Sequence, residues 1–384
     1  VEYLPQLDRL IAARSKTPFR KLKPVIRCIL RLSLYQLLYL SRIPAHAVVN
    51  EAVKLTERRG LFGLKGFVNA MVRERDEIRA ELDGSQDFAL RYALPPWLAE
   101  RFTAQFGREE SEKIAARFLE PAPLTLRLNR TGFIAAGEPA AATEGLTQSP
   151  YAPDSFIAEE GLTEPIRQQL AEGMFFVQDL SSSLAVQAAQ PKPGERVLDL
   201  CAAPGGKSLA AADCMRGEGS IVSADLSPQK VERMRENVAR TGFSGCVRPL
   251  QSDAGVFRPD WEEAFDLVIA DLPCSGLGVL RRKPDARWRK RPDDLAALAR
   301  LQREILSSAA EAVKSGGVLV YSTCTIEREE NEAVVEDFLA RHEEFSLENA
   351  GELLPLKKRP ERMLQLYPQR DGTDGFFIAR MRRR

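Results

Sequence analysis

Two cysteines stand in short motifs of their own, Asp271-Leu272-Pro273-Cys274 and Tyr321-Ser322-Thr323-Cys324-Thr325. Each follows an apolar, β-branched run that reads as a buried strand, so both thiols should emerge on one rim of one sheet. Upstream, Asp199-Leu200 runs into Cys201-Ala202-Ala203-Pro204-Gly205-Gly206-Lys207-Ser208, a strand end, a Gly-rich loop and the start of a helix. Gly205 and Gly206 let the backbone approach a ligand closely, Pro204 stiffens the turn, and the helix start offers unpaired amides. Two rim thiols beside such a loop suit covalent attack on a substrate next to a bound nucleotide-like cofactor.

The carboxylates narrow the ligand. The loop has no GxGxxG and no GxxxxGK[ST], so neither a pyrophosphate nor a Walker-type nucleotide is the expected occupant. Asp225 ends the second predicted strand, where a carboxylate suits a ribose diol. Asp253 follows the third and could accept from an adenine amino group. Asp271 ends the fourth, within reach of cofactor or base. Adenosine without pyrophosphate, with a charged amino-acid end for the loop amides, describes S-adenosylmethionine. Any single aspartate could be a cap or turn residue; the loop and these three strand-end positions together argue against that. Lys207 could orient the cofactor or an anionic group, the alternative being a solvated lysine at a helix start.

The elements that must position these residues are legible in outline. Residues 1–80 read as all helical, with Val25, Ile26, Ile29, Leu30, Leu34, Leu37 and Leu38 at helical spacing. Residues 86–175 are mixed: helices over 97–106 and 109–118, a strand over Leu124–Leu128, and an Ala/Gly/Pro-rich stretch at 132–155 that reads as a linker or a weak helix. From about residue 176, strands alternate with helices, the signature of a parallel sheet. The expected strands are 196–200, 220–225, 246–251, 265–270 and 317–322. Helices are expected at 207–214, 228–240 and 293–314, with a closing antiparallel pair at 364–367 and 375–381.

A chain of 384 residues suggests two or three domains. No uncharged apolar run is long enough to span a bilayer, and no secretory signal is present. The six cysteines lack metal-type CxxC spacing, which fits a reducing compartment. A cytoplasmic monomer with no metal and no membrane contact is therefore expected. The chain begins at Val1, so residues are expected to precede it. The net charge of +1 hides strong clustering. Residues 1–75 hold fifteen basic against five acidic residues, a local net of +10, and residues 280–291 hold seven against one. Such patches are the footprint of a phosphate-backbone partner, or else solvated basic faces. Trp288, inside the second patch, could stack on a flipped base or simply anchor its loop.

At this point a family resemblance is specific. The cofactor loop, Asp271-Leu272-Pro273-Cys274-Ser275-Gly276 and Ser322-Thr323-Cys324-Thr325 resemble the motifs of the RNA cytosine-C5 methyltransferases. So do Gln178-Asp179 with Ser181-Ser182, Arg282-Lys283-Pro284-Asp285, Glu329-Glu330-Asn331 and Asp374-Gly375-Phe376-Phe377. Residues 25–72, with Ile43-Pro44, Val49-Asn50-Glu51-Ala52 and Phe67-Val68-Asn69, are similar to the RNA-binding NusB fold, although its first helices are missing. The combination resembles the RsmB/Sun (Fmu) family acting on 16S ribosomal RNA. The resemblance implies an α/β architecture of three parts: a NusB-like helical RNA-binding domain at 1–85, a small α+β domain at 86–175, and a Rossmann-like S-adenosylmethionine-dependent methyltransferase domain at 176–384.

The resemblance further implies Cys324 as nucleophile and Cys274 as the release residue, with Asp271 in a catalytic or binding role. The physics of the sequence alone leaves the swapped assignment open. Cofactor contacts are expected from Cys201, Ala202, Ala203, Pro204, Gly205, Gly206, Lys207, Asp225, Asp253 and Asp271, and RNA contacts from Arg282, Lys283 and Trp288. Transfer RNA is the neighbouring substrate reading. A non-catalytic ribosome-assembly factor is the rival from another class, and the intact thiol pair argues against it.

Overall fold

The computed structural model describes residues 2–134, 143–356 and 361–384. The chain forms two compact units. The first runs to Leu119 and includes Arg287–Arg289; the second holds Glu120–Ala286 and Lys290–Arg384.

The first unit is helical. Its main helices are Leu4–Arg14, Pro24–Tyr39, Ala45–Arg58, Lys65–Arg73, Arg75–Gly84, Pro96–Phe106 and Arg108–Leu119. Proline in the first turn starts three of them, where its missing N–H costs no hydrogen bond. Leu10, Ile11, Ile26, Leu30, Leu34, Val68 and Ile78 form its core, each buried side chain contributing about 1.5–3 kcal/mol. Arg287 is fully buried in this unit. It pairs with Glu2 at 3.1 Å and donates to the carbonyls of Ala93 and Phe118.

The second unit has two sheets. The smaller comprises β1 (Leu124–Leu128), β2 (Thr147–Gln148), β3 (Ser155–Ala158) and β4 (Phe175–Val177), antiparallel in the order β2-β3-β1-β4. The larger has β5 (Arg196–Leu200), β6 (Ser220–Asp225), β7 (Val247–Gln251), β8 (Phe265–Asp271), β9 (Val313–Thr323), β10 (Phe345–Leu347), β11 (Met363–Leu366) and β12 (Phe376–Arg383). Its order is β10-β12-β9-β8-β5-β6-β7, with β11 also on β12. Strands β5 to β9 are parallel, and β10, β11 and β12 add antiparallel pairings. Period-2 alternation sends Val197, Ile269 and Val320 to one face, and Leu198, Val268 and Leu319 to the other. The sheet is thus buried on both sides, and only strand ends and loops are left to meet a ligand.

The expected boundaries at 85/86 and 175/176 differ from the observed division at 119/120. Residues 86–119 are helical and cluster with the helices before them, while the small sheet clusters with the large one. Within 132–155 the structure places the end of a short helix, Arg130–Ile134, then β2 and the first residue of β3; residues 135–142 lie outside the described ones. The helix Leu180–Ala189 and the three-residue β10 were not expected. No helix among the described residues is long and apolar enough to cross a membrane.

Candidate active site

The register of β8 and β9 builds the site. Asp271 pairs with Ser322, so Cys274, three residues on, and Cys324, two residues on, leave the sheet side by side. Their sulfurs are 3.2 Å apart. The Ser275 and Thr325 hydroxyls, one residue beyond each, bond at 2.8 Å. Gly278 closes the arrangement. Its N–H donates to Cys324 O at 3.1 Å, and a Cβ there would sit 2.1 Å from Gly375 O, so only glycine allows the two loops to meet.

The two thiols are hydrogen-bonded to each other, and their surroundings separate their acidities. Cys324 is held below the ordinary thiol range by the hydrogen bond from Cys274, against burial and Asp271, with Lys283 and Lys207 assisting. Cys274 is pushed well above it by that same bond, by burial, and by the negative fields of Glu330 and Asp271. The cations favour charge on Cys324 and the carboxylates oppose it on Cys274, so of the two thiols Cys324 is the more readily ionised.

The cofactor loop turns sharply, with Cys201 at φ 57° and Gly205 at φ 102°. A Cβ on Gly205 would also approach Met234 Cγ to 3.0 Å. The loop, with Gln178, Asp179, Asp199, Lys207 and Asp271, lines a cavity of about 250 Å³. Lys207 is buried rather than solvated. It pairs with Asp271 Oδ2 at 2.6 Å and stays charged, because that carboxylate outweighs the burial that opposes the charge. Ser322 Oγ donates to Asp271 Oδ1 at 2.7 Å, which fixes the carboxylate at the edge between cavity and thiols. Burial, with Asp225, Asp271 and Asp199 nearby, pushes Cys201 up to about 12, so this third thiol stays protonated.

Two cavity residues outside the expected set carry buried oxygens without a partner. Asp199 accepts from Ser208 Oγ at 2.5 Å through Oδ2, and its Oδ1 has none. Gln178 donates to Gly206 O at 2.8 Å, and its Oε1 has none. Burial pushes Asp199 up to about 7, against the Ser208 bond and Lys207. Two orphaned acceptors on one cavity call for a donor-rich cation, and the ammonium of an amino-acid-bearing cofactor fits. S-adenosylmethionine carries that group. Gln178 was visible as a motif residue, whereas Asp199 read only as a strand end.

Other expected contacts have protein partners. Asp225 is buried, accepting from Ala203 N at 3.3 Å and Ser227 N at 3.0 Å; each oxygen keeps a lone pair for a ligand. Asp253 is exposed and accepts from Gly255 N at 2.9 Å. Neither lines the cavity. Arg282 is not a free phosphate contact. It pairs with Asp374, with Asp179 at 2.7 Å, and donates to Pro123 O at 3.2 Å. Trp288 is half-buried in the first unit, its indole N–H donating to Glu2 O at 3.0 Å, which is the loop-anchoring alternative. Lys283 is exposed.

A parallel sheet with a glycine loop after its first strand, a cavity suited to an amino-acid-bearing cofactor and paired rim thiols defines an S-adenosylmethionine-dependent RNA methyltransferase. The family described as 16S rRNA methyltransferase RsmB/F matches residues 186–382, and the NusB family matches residues 1–76. The probable ribosomal RNA small subunit methyltransferase B of Bacillus subtilis strain 168 is 38% identical, over 95% of this chain and 84% of the relative. The ribosomal RNA small subunit methyltransferase B of Vibrio cholerae is 34% identical, over 98% and 85%. A methyltransferase homologue from Pyrococcus horikoshii superposes with a TM-score of 0.64 at 28% identity, covering 78% of this chain and 98% of that one. The chain belongs to the RsmB/F family of 16S ribosomal-RNA methyltransferases.

Proposed function

We propose that this enzyme methylates carbon 5 of a cytosine in 16S ribosomal RNA through a covalent bond from Cys324 to carbon 6. The thiol pair carries the reading, because carbon 5 of cytosine is a poor nucleophile until a thiolate adds to its neighbour. The names of the curated relatives support the small-subunit RNA as substrate. S-adenosylmethionine, when bound, supplies the electrophilic methyl group.

The residues divide the work as follows. Asp199 and Gln178 would take the cofactor's ammonium, and the loop Cys201–Lys207 would hold its amino-acid end. Asp225 and Asp253 keep lone pairs for the ribose and adenine. Asp271, fixed by Lys207 and Ser322, orients the reacting groups where cavity and thiols meet. The base must leave its stack to reach the rim. Cys324 adds to carbon 6, carbon 5 takes the methyl and loses its proton to a base, and the electron pair returns to expel Cys324. Cys274, 3.2 Å away, donates to the departing sulfur and stabilises it as thiolate.

Cys274→Ala should therefore accumulate a protein–RNA adduct stable to denaturing electrophoresis, with turnover slowed about 10- to 100-fold, the value of one hydrogen bond to a charged group. Cys324→Ala should form none. An adduct with the Cys324 variant and not with the Cys274 variant overturns the assignment.

A further inference from the structure

Glu330 is fully buried in the turn that follows β9. Its Oε2 accepts from Ser275 N at 2.8 Å and from Gln302 Nε2 at 3.1 Å, and its Oε1 has no partner. The same Gln302 amide donates to Pro273 O at 2.9 Å. The residues on both sides of Cys274 are thus gripped by one carboxylate–amide pair. None of the ion pairs described engages Glu330; burial pushes its carboxyl above the usual range, against the Ser275 and Gln302 bonds and the field of Lys290. A glutamine here would accept the Ser275 bond without the expense of a buried charge. Geometry alone does not account for a carboxylate at this place.

The charged surroundings of the thiols supply the account. Glu330 and Asp271 act on Cys274. Lys283, Lys207 and Asp271 act on Cys324. Tyr321 donates its hydroxyl to Glu330 O and is held un-ionised by burial, with Cys274, Glu330 and Asp271 adding to that and Arg303 opposing. A protonated Glu330 would have no acceptor described for its proton at Oε1, whereas the carboxylate has two donors.

We infer that Glu330 is a positioning residue that decides which thiol keeps the proton, seating Cys274 through the Ser275 amide and holding it as the S–H donor to Cys324. This deepens the reading above and rests on Cys324 as nucleophile. The test is site-resolved alkylation of the full chain by iodoacetamide across pH, read by peptide mass spectrometry without RNA. Wild type should be labelled first at Cys324. Glu330→Gln, which keeps shape and loses charge, should narrow the Cys324-to-Cys274 labelling ratio about tenfold, the effect of a one-unit change in relative thiol acidity. It should also lower kcat while KM for RNA stays within roughly twofold, as expected for a group that acts on the chemical steps.

Glu330→Asp keeps the charge and should hold the ratio within roughly threefold of wild type, less than half a pKa unit; it also decides the matter if Glu330→Gln fails to show a native melt. An unchanged ratio in folded Glu330→Gln, or a collapsed ratio in folded Glu330→Asp, overturns the inference while leaving the nucleophile in place. Wild type labelled first at Cys274 would instead remove the reading on which it rests.

Discussion

Asp199 has Ser208 on one carboxylate oxygen and no partner on the other, deep in the cofactor cavity. Its carboxyl titrates at about 7 in the fold against 3.8 unfolded. The fold without cofactor therefore binds a proton that the unfolded chain has released. Its stabilising effect is full below pH 3.8 and is lost as pH rises through about 7. A cofactor ammonium reverses the balance by favouring the carboxylate. Asp199→Asn should flatten the decline in melting temperature of the cofactor-free enzyme as pH rises from 3.8 to about 7. The amide can still accept from Ser208, but it turns a donor toward the ammonium. S-adenosylmethionine affinity should fall by about 1.5–3 kcal/mol, the range for a hydrogen bond to a charged group. Calorimetry showing equal affinity would place the ammonium elsewhere.

At the scale of elements, one ion cluster ties distant pieces of the second unit. Asp374, fully buried before β12, takes the guanidiniums of Arg281 and Arg282 from the segment after Cys274. Arg282 reaches on to Asp179, which caps the helix Leu180–Ala189 through Ser181 N. Arg282 holds Asp179 below the usual carboxylate range even though burial works the other way. Asp374→Asn leaves two arginines short of a charge, and stability should fall by about 3 kcal/mol, the low end for a broken buried pair because Arg282 is partly solvated. Urea melts giving a loss under about 1 kcal/mol would show that water replaces the carboxylate.

This cluster also marks where the sequence stops being readable. The strand ends, the cofactor loop and the thiol motifs are local patterns with strong periods, and all fell where expected. The basic run 280–291 is local too, but its charge looked outward, and only tertiary structure shows Arg281, Arg282 and Arg287 consumed by carboxylates and carbonyls. The helix Leu180–Ala189 is buried on nearly every side and shows no amphipathic period. Glu330 stood in a quoted motif, yet its grip on the Cys274 loop spans 55 residues of sequence.

At the scale of the whole molecule, net charge decides little and its distribution decides more. With part of the 280–291 patch committed to ion pairs, the exposed basic residues of the NusB-like unit are the ones to test for RNA contact. Lys21, Arg58 and Arg59 are exposed there, and none is in an ion pair among those described. Deleting residues 1–85 would be a poor probe, because Glu2 is the seat of Arg287 and Trp288 within that unit. Charge reversal at Lys21, Arg58 and Arg59 together leaves those interactions intact. RNA affinity should fall, and the slope of log affinity against log salt should become shallower by about 0.7–0.9 for each phosphate that is no longer neutralised. S-adenosylmethionine binding should be unchanged, because the residues lining the cofactor cavity all belong to the second unit. Fluorescence anisotropy with 16S fragments across a potassium chloride series reads affinity and slope together. A variant with native melting, wild-type affinity and an unchanged slope would mean that this unit does not dock RNA through its basic face.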